Sequence, residues 1–264
     1  MAVPNRRQMP RRRWLPRAAV LAVLLASATG CTSNGFTRLG MPEPITRQGK
    51  TILTLWQGSW IAAFAVGFVV WGLVIWAVIF HRKRSEELPP QVRYNLPIEV
   101  LYTIVPFIMV AVLFYFTARD ENYVDKVSAH PDVVVHVTGF QWSWEFQYTD
   151  LGNVQVIGTP SLDPVLVLPV GETIQFDLTS TDVIHSFWVP AFLFKRDVVP
   201  GHPNQFQLTT TTTGTFAGRC SELCGTYHSE MLFTVKVVSA QQFQQFIAAK
   251  QAAQTAEAAS GSSQ

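Results

Sequence analysis

Hydrophobic and polar positions divide this chain into segments of different texture. From Leu53 to Phe80 no residue is charged, which exceeds the roughly 20 apolar residues needed to cross a hydrocarbon core of about 30 Å. A second apolar run, Leu96 to Thr117, is interrupted by one acid, Glu99. The two runs predict a transmembrane helix hairpin over residues 53–117. Between them stands "HRKRSEE", and Arg82, Lys83, Arg84 and Arg93 assign that loop to the cytoplasmic side by the positive-inside rule. Both ends of the hairpin, and all that follows, then face outward.

Past the charged connector "ARDENYVDKVSAH" the pattern turns to short alternating or β-branched runs: "DVVVHVTGF", "QWSWEFQY", "NVQVIG", "PVLVLPVG", "TIQFDLTS", "VIHSFWVP", "NQFQLTT", "GTFAGRC" and "MLFTVKVV". Gly, Pro, Asn and Asp punctuate them at about ten-residue spacing, the texture of an all-β sandwich or Greek-key barrel. This domain is expected over residues 118–239. Residues 240–264 predict a short helix with Phe243, Phe246 and Ile247 on one stripe, fraying into a small polar tail.

Charge changes the picture at the N-terminus. The net charge of +2 over 264 residues hides six arginines and no acid within residues 1–30. From Ala118 onward the count is 7 basic against 14 acidic residues, or −7. The basic charge therefore marks a targeting segment and gives no sign of nucleic-acid binding. The arginines precede "AAVLAVLLASA" and then "SATGC", which resembles a bacterial lipobox with Ala28 where Leu is usual. Residues 1–30 are expected to be a cleaved signal peptide and Cys31 the lipidated first residue of an exported segment, 31–52. "RRRWL" resembles a twin-arginine signal, so the export route stays open.

The chemistry is concentrated in "RCSELCGTYHSEM", Arg219 to Met231. Cys220 and Cys224 stand in C-x3-C spacing, with His228 and Met231 following. A disulfide is the default for paired cysteines in an exported domain. A bridge closing three intervening residues constrains little chain, however, and leaves His228 and Met231 unexplained. Zinc knuckles use closer cysteines and have no need of a thioether. Thiolate, imidazole and thioether together suit copper that changes oxidation state. Two thiolates fit a pair of copper ions, and His185, in the strand-like "DVIHSFWVP", is the candidate for a further nitrogen. His81, His130, His136 and His202 lack such context and read as structural.

"CSELCGTYHSEM" resembles the binuclear copper A loop of subunit II of haem–copper cytochrome c oxidases. The hairpin, "QWSWEFQY", "HSFWVPAF", "KRDVVPG" and the loop follow that family's order over roughly residues 50–238. The resemblance implies a cupredoxin-like domain with side-chain copper ligands His185, Cys220, Cys224, His228 and Met231. It implies that Glu222 gives its backbone carbonyl to copper and its carboxylate to a magnesium ion facing catalytic subunit I. Trp142 matches the tryptophan that accepts electrons from cytochrome c, and Glu99 the glutamate at the mouth of a proton path. By strand alternation Trp144 shares a face with Trp142, and it reads as a core aromatic. The acidic outer domain fits docking of a lysine-rich haem protein.

The expected activity is therefore electron uptake at the outer face of a bacterial membrane, from cytochrome c or a haem domain of a quinol–cytochrome c reductase. Haems and oxygen reduction would belong to partner subunits, and no C-x-x-C-H haem-attachment motif is present. "PGH" at Pro200–His202 departs from the family's frequent "PGR", and Tyr227 stands where many members have a smaller polar residue. A quinol oxidase subunit would lack the copper ligands, and 264 residues leave no room for the large catalytic domain of nitrous oxide reductase. A membrane-tethered copper carrier or sensor has no reason for Glu99 or "QWSWEFQY".

Overall fold

The computed structural model describes residue 35 and residues 37–84, 86–88 and 91–261. The expected signal peptide and the lipidation site Cys31 lie outside the described residues.

Two long helices lead: α1, Arg47–Phe80, and α2, Leu96–Val124. At about 1.5 Å per residue they are about 51 and 44 Å long, more than a hydrocarbon core of about 30 Å requires. Their apolar side chains point away from any protein core, as expected of helices whose solvent is lipid. Thr46 caps α1, its hydroxyl accepting the N–H of Gly49 at 2.9 Å. Asn95 caps α2 and accepts the N–H of Ile98; Glu99 reaches back to accept the N–H of Asn95 at 3.0 Å.

Ten strands form two five-stranded sheets. The first holds β1 (Val133–Phe140), β2 (Ser143–Tyr148), β3 (Val154–Ile157), β5 (Thr173–Ser180) and β8 (Asn204–Thr209), in the order β3-β2-β1-β5-β8. The second holds β4 (Val165–Pro169), β6 (His185–Val189), β7 (Phe194–Val198), β9 (Gly214–Cys220) and β10 (Leu232–Val238), in the order β4-β10-β9-β6-β7. The pairs β1·β5 and β4·β10 are parallel and the other pairs antiparallel. In β1 and β5 alternate residues turn inward, β1 burying Val133, Val135 and Val137, whereas β4 and β8 are buried over four consecutive residues. Between the sheets the ring of Phe187 stacks on Phe233 at 4.9 Å and Trp144 meets Phe233 edge-on at 5.5 Å. This is the expected all-β, cupredoxin-like domain behind a helical hairpin, its barrel flattened into two facing sheets.

Three local expectations need correction. Strand β7 was not expected, because Lys195, Arg196 and Asp197 give it no apolar signature; it is an edge strand, where charge is tolerated. The C-terminal helix α3, Ala240–Gly261, is longer than the short element expected, as its alanines and glutamines favour. Phe243 and Ile247 anchor it, with Phe243 and Phe246 against the ring of Tyr148. Finally, Trp142 does not share a strand face with Trp144. Trp142 lies half-buried in the turn before β2, whereas Trp144 lies on β2 and is fully buried.

Both membrane helices are fastened to the sandwich. Before α1, the N–H of Ile45 donates to the carbonyl of Ala191 at 3.0 Å, and the N–H of Thr211 donates to the carbonyl of Ile45 at 2.7 Å. Within α1, Gln48 Oε1 accepts the N–H of Thr209 at 3.0 Å. Beyond α2, Asp125 pairs with Arg196. The amide of Gln207 bonds both the backbone N–H and the carbonyl of Ser128, at 2.8 and 2.9 Å.

Candidate metal centre

One end of the sandwich gathers the sulfur and imidazole groups. His185 opens β6 and Cys220 closes β9, with Phe187 opposite Cys220 in the ladder. Two backbone bonds continue that register into the loop. The N–H of Ser221 donates to the carbonyl of Ser186 at 3.1 Å, and the N–H of Cys220 donates to the carbonyl of Met231 at 3.0 Å. The chain between makes a 3-10 turn at His228–Glu230 and returns Met231 to the head of β10. Gly225, at φ +121°, permits the reversal after Cys224.

The two thiols are free, with their sulfurs 3.9 Å apart, well beyond the roughly 2.05 Å of a disulfide. His185 Nδ1 lies 3.9 Å and the Glu222 carbonyl oxygen 3.2 Å from the Cys220 sulfur. His228 Nδ1 lies 3.5 Å and Met231 Sδ 3.8 Å from the Cys224 sulfur. The ligand atoms of His185, Cys220 and Cys224 all lie within 4.8 Å of one another. His185, Cys220, Cys224 and Met231 are buried, whereas His228 is half-buried and the Glu222 side chain exposed.

Electrostatics favours a cation here. Burial opposes ionisation of both thiols. At Cys220 it is outweighed by His185 and by the backbone at Glu222 and Ser186, so its pKa is lowered. At Cys224 burial and the neighbouring Cys220 charge act together and raise it. Two thiolates so close in a buried site need positive charge between them. Sulfurs each about 2.3 Å from a shared ion can stand at most about 4.6 Å apart, and the 3.9 Å separation satisfies that limit. Soft sulfurs, imidazole nitrogens and a carbonyl oxygen form a donor set that fits copper.

A family model described as cytochrome c oxidase subunit II, periplasmic domain, matches residues 133–238. A "Probable cytochrome c oxidase subunit 2" from Streptomyces avermitilis is 50% identical, over 90% of this chain and 87% of that protein. The chain belongs to the cytochrome c oxidase subunit II family. A "Cytochrome c oxidase subunit 2" from Mycobacterium tuberculosis is 37% identical, over 89% of this chain and 81% of that protein. Among solved structures, the periplasmic domain of subunit II of cytochrome oxidase (CoxB) of Bradyrhizobium japonicum aligns at 32% identity. It covers 47% of this chain and 97% of that one, with a TM-score of 0.44.

As a subunit II, the chain is a membrane protein and part of an oxidoreductase complex with other oxidase subunits. The fold gathers His185, Cys220, Cys224, His228, Met231 and the Glu222 carbonyl at one site. Trp142 stands beside it, its indole N–H donating to the carbonyl of Cys224 at 3.3 Å. Glu99 is not at this site but in the first turn of α2, while Arg93 lies over the ring of Tyr94. The sequence reading missed Asp182, whose Oδ1 lies 2.8 Å from His185 Nε2. It also missed Gln141, whose amide donates to the Cys224 carbonyl at 2.8 Å. The spacing of "DVIH" was the available signal for Asp182.

Proposed function

We propose that this subunit II is the electron-accepting subunit of a respiratory cytochrome c oxidase. It takes electrons from cytochrome c, or from a haem domain of a quinol–cytochrome c reductase. It hands them to the haem and copper centres of catalytic subunit I, where O2 is reduced to water and protons are translocated. The side chains of His185, Cys220, Cys224, His228 and Met231, with the carbonyl of Glu222, would hold two copper ions. Bound there, the copper pair supplies one-electron exchange without an open coordination position. The observation that carries this reading is the pair of free sulfurs 3.9 Å apart with the other donors around them.

The remaining roles follow the same reading. The carbonyl of Glu222 faces Cys220 while its side chain is exposed, which leaves the carboxylate for magnesium at the interface with subunit I; oxygen suits that hard cation. Trp142 receives the electron, supported by its bond to the Cys224 carbonyl. Glu99 serves the mouth of a proton path, supported by its position as an acid at the end of a membrane helix. Cys31 carries lipid, and the copper domain, residues 118–239, faces the outside.

Electron paramagnetic resonance of the copper-loaded full chain tests the assignment. An unpaired electron shared by two coppers is expected. The hyperfine pattern of a single copper would instead favour a tethered copper carrier.

A further inference from the structure

We infer that Tyr227 is a positioning residue for electron uptake, its ring holding the Trp142 indole in the pose in which it is bonded to the copper loop. The inference rests on Trp142 being the uptake residue. Trp142 sits in the turn between β1 and β2, outside the strand ladder, so no register orients its ring. Its indole N–H reaches the Cys224 carbonyl only at 3.3 Å. That acceptor already takes the shorter bond, 2.8 Å, from the Gln141 amide. A long bond to a shared acceptor constrains direction weakly.

The contact that completes the seat is Tyr227. Its ring centroid lies 5.0 Å from that of Trp142 at an interplanar angle of 84°, the edge-to-face arrangement that aromatic quadrupoles favour. Tyr227 is 47% exposed, so its ring is not committed to the core. The loop also closes on the indole at Gly225, where a Cβ would stand 3.2 Å from Trp142 Nε1. Tyr227 directly precedes His228. The chain that presents the metal donors thus also grips the uptake ring, by the Cys224 carbonyl on one contact and the Tyr227 ring on another. The electron comes from the donor's haem iron, which goes from ferrous to ferric, and would reduce the proposed copper pair by one electron; the Tyr227 ring takes no part in that exchange beyond holding the indole.

The test uses the assembled oxidase labelled with 5-fluorotryptophan, the Trp142 fluorine resonance being identified by its loss in Trp142→Phe. In Tyr227→Ala that resonance should shift and broaden. Oxidation of limiting reduced cytochrome c should slow about two- to tenfold, the population factor an edge-to-face pair sustains, with the copper optical spectrum unchanged. Tyr227→Leu, which keeps bulk without a ring, should behave like Tyr227→Ala, and Tyr227→Phe should restore both resonance and rate. A wild-type resonance and rate in Tyr227→Ala or Tyr227→Leu, or a Tyr227→Phe as slow as Tyr227→Ala, would overturn the inference. A slow Trp142→Phe beside an unaltered Tyr227→Ala sinks the inference alone. A wild-type rate in Trp142→Phe sinks the uptake role of Trp142 and the inference with it.

Discussion

The Oδ1 of Asp182 lies 2.8 Å from Nε2 of His185, and the other ring nitrogen, Nδ1, faces the Cys220 sulfur. With Nε2–H donating to the carboxylate, the lone pair of Nδ1 is left for a metal, and the ring is held in orientation. Asp182→Asn keeps an acceptor for the ring but removes the charge that strengthens the imidazole as a ligand. Copper retention against a chelator should fall about tenfold, and wild-type retention would show that the carboxylate does not tune the site.

The same pair makes the copper-free protein sensitive to pH. For Asp182, burial pushes the pKa up, but His185 and the N–H groups of Val183 and Gln141 outweigh it and the value is lowered. Its contribution is present above its unfolded pKa and is lost as pH falls through the folded one. For His185, burial pushes down, but Cys220 and Asp182 outweigh it and the value is raised. That contribution is full below its unfolded pKa and is lost as pH rises through the folded one. Thermal stability of the copper-free protein should therefore fall as pH drops below about 3.9. On the alkaline side Cys220, its thiol lowered to about 7, gains stability with pH as His185 loses it, so the two oppose each other. An acid limb unaltered in Asp182→Asn would rule out the Asp182 contribution.

Gly218 on β9 faces Phe233 so closely that a Cβ would stand 2.1 Å from the ring. Phe233 is buried and stacks on Phe187, which is the ladder partner of Cys220. Gly218→Ala should destabilise by about 1–3 kcal/mol through overpacking, measured as a lower unfolding midpoint and weaker copper retention. A wild-type midpoint would mean that Phe233 moves aside freely.

Cys224→Ser replaces one of the paired sulfurs with a poor soft-metal donor. At most one copper per chain should bind, counted by metal analysis, and turnover with reduced cytochrome c should be abolished. Unchanged turnover in this variant would refute the copper assignment.

Much of this was legible in residue pattern because the signals were long or chemically dense. Apolar runs longer than a bilayer needs can be read without knowing the fold, and so can strands with a buried face. The thiols, His228 and Met231 declare themselves because they are neighbours in sequence. Asp182 did not, because its meaning depends on a local turn that brings a carboxylate under the imidazole three residues on. Trp142 was misplaced because alternation applies only inside a strand, and the chain leaves its ladder at that residue. The hydroxyl of Tyr148 was equally unreadable: it bonds both the N–H and the carbonyl of Val167 at 2.9 Å, between strands of different sheets.

The fastening of α1 through Ile45 and Gln48, and of the segment beyond α2 through Asp125 and Ser128, has a further effect. Two separate attachments remove both the swing and the spin that a single tether would allow. Electron tunnelling weakens steeply with distance, so under the proposed relay the acceptor in subunit I needs its donor at a constant height. The hydrogen bonds that join the helix ends to the sandwich would set that height within this chain.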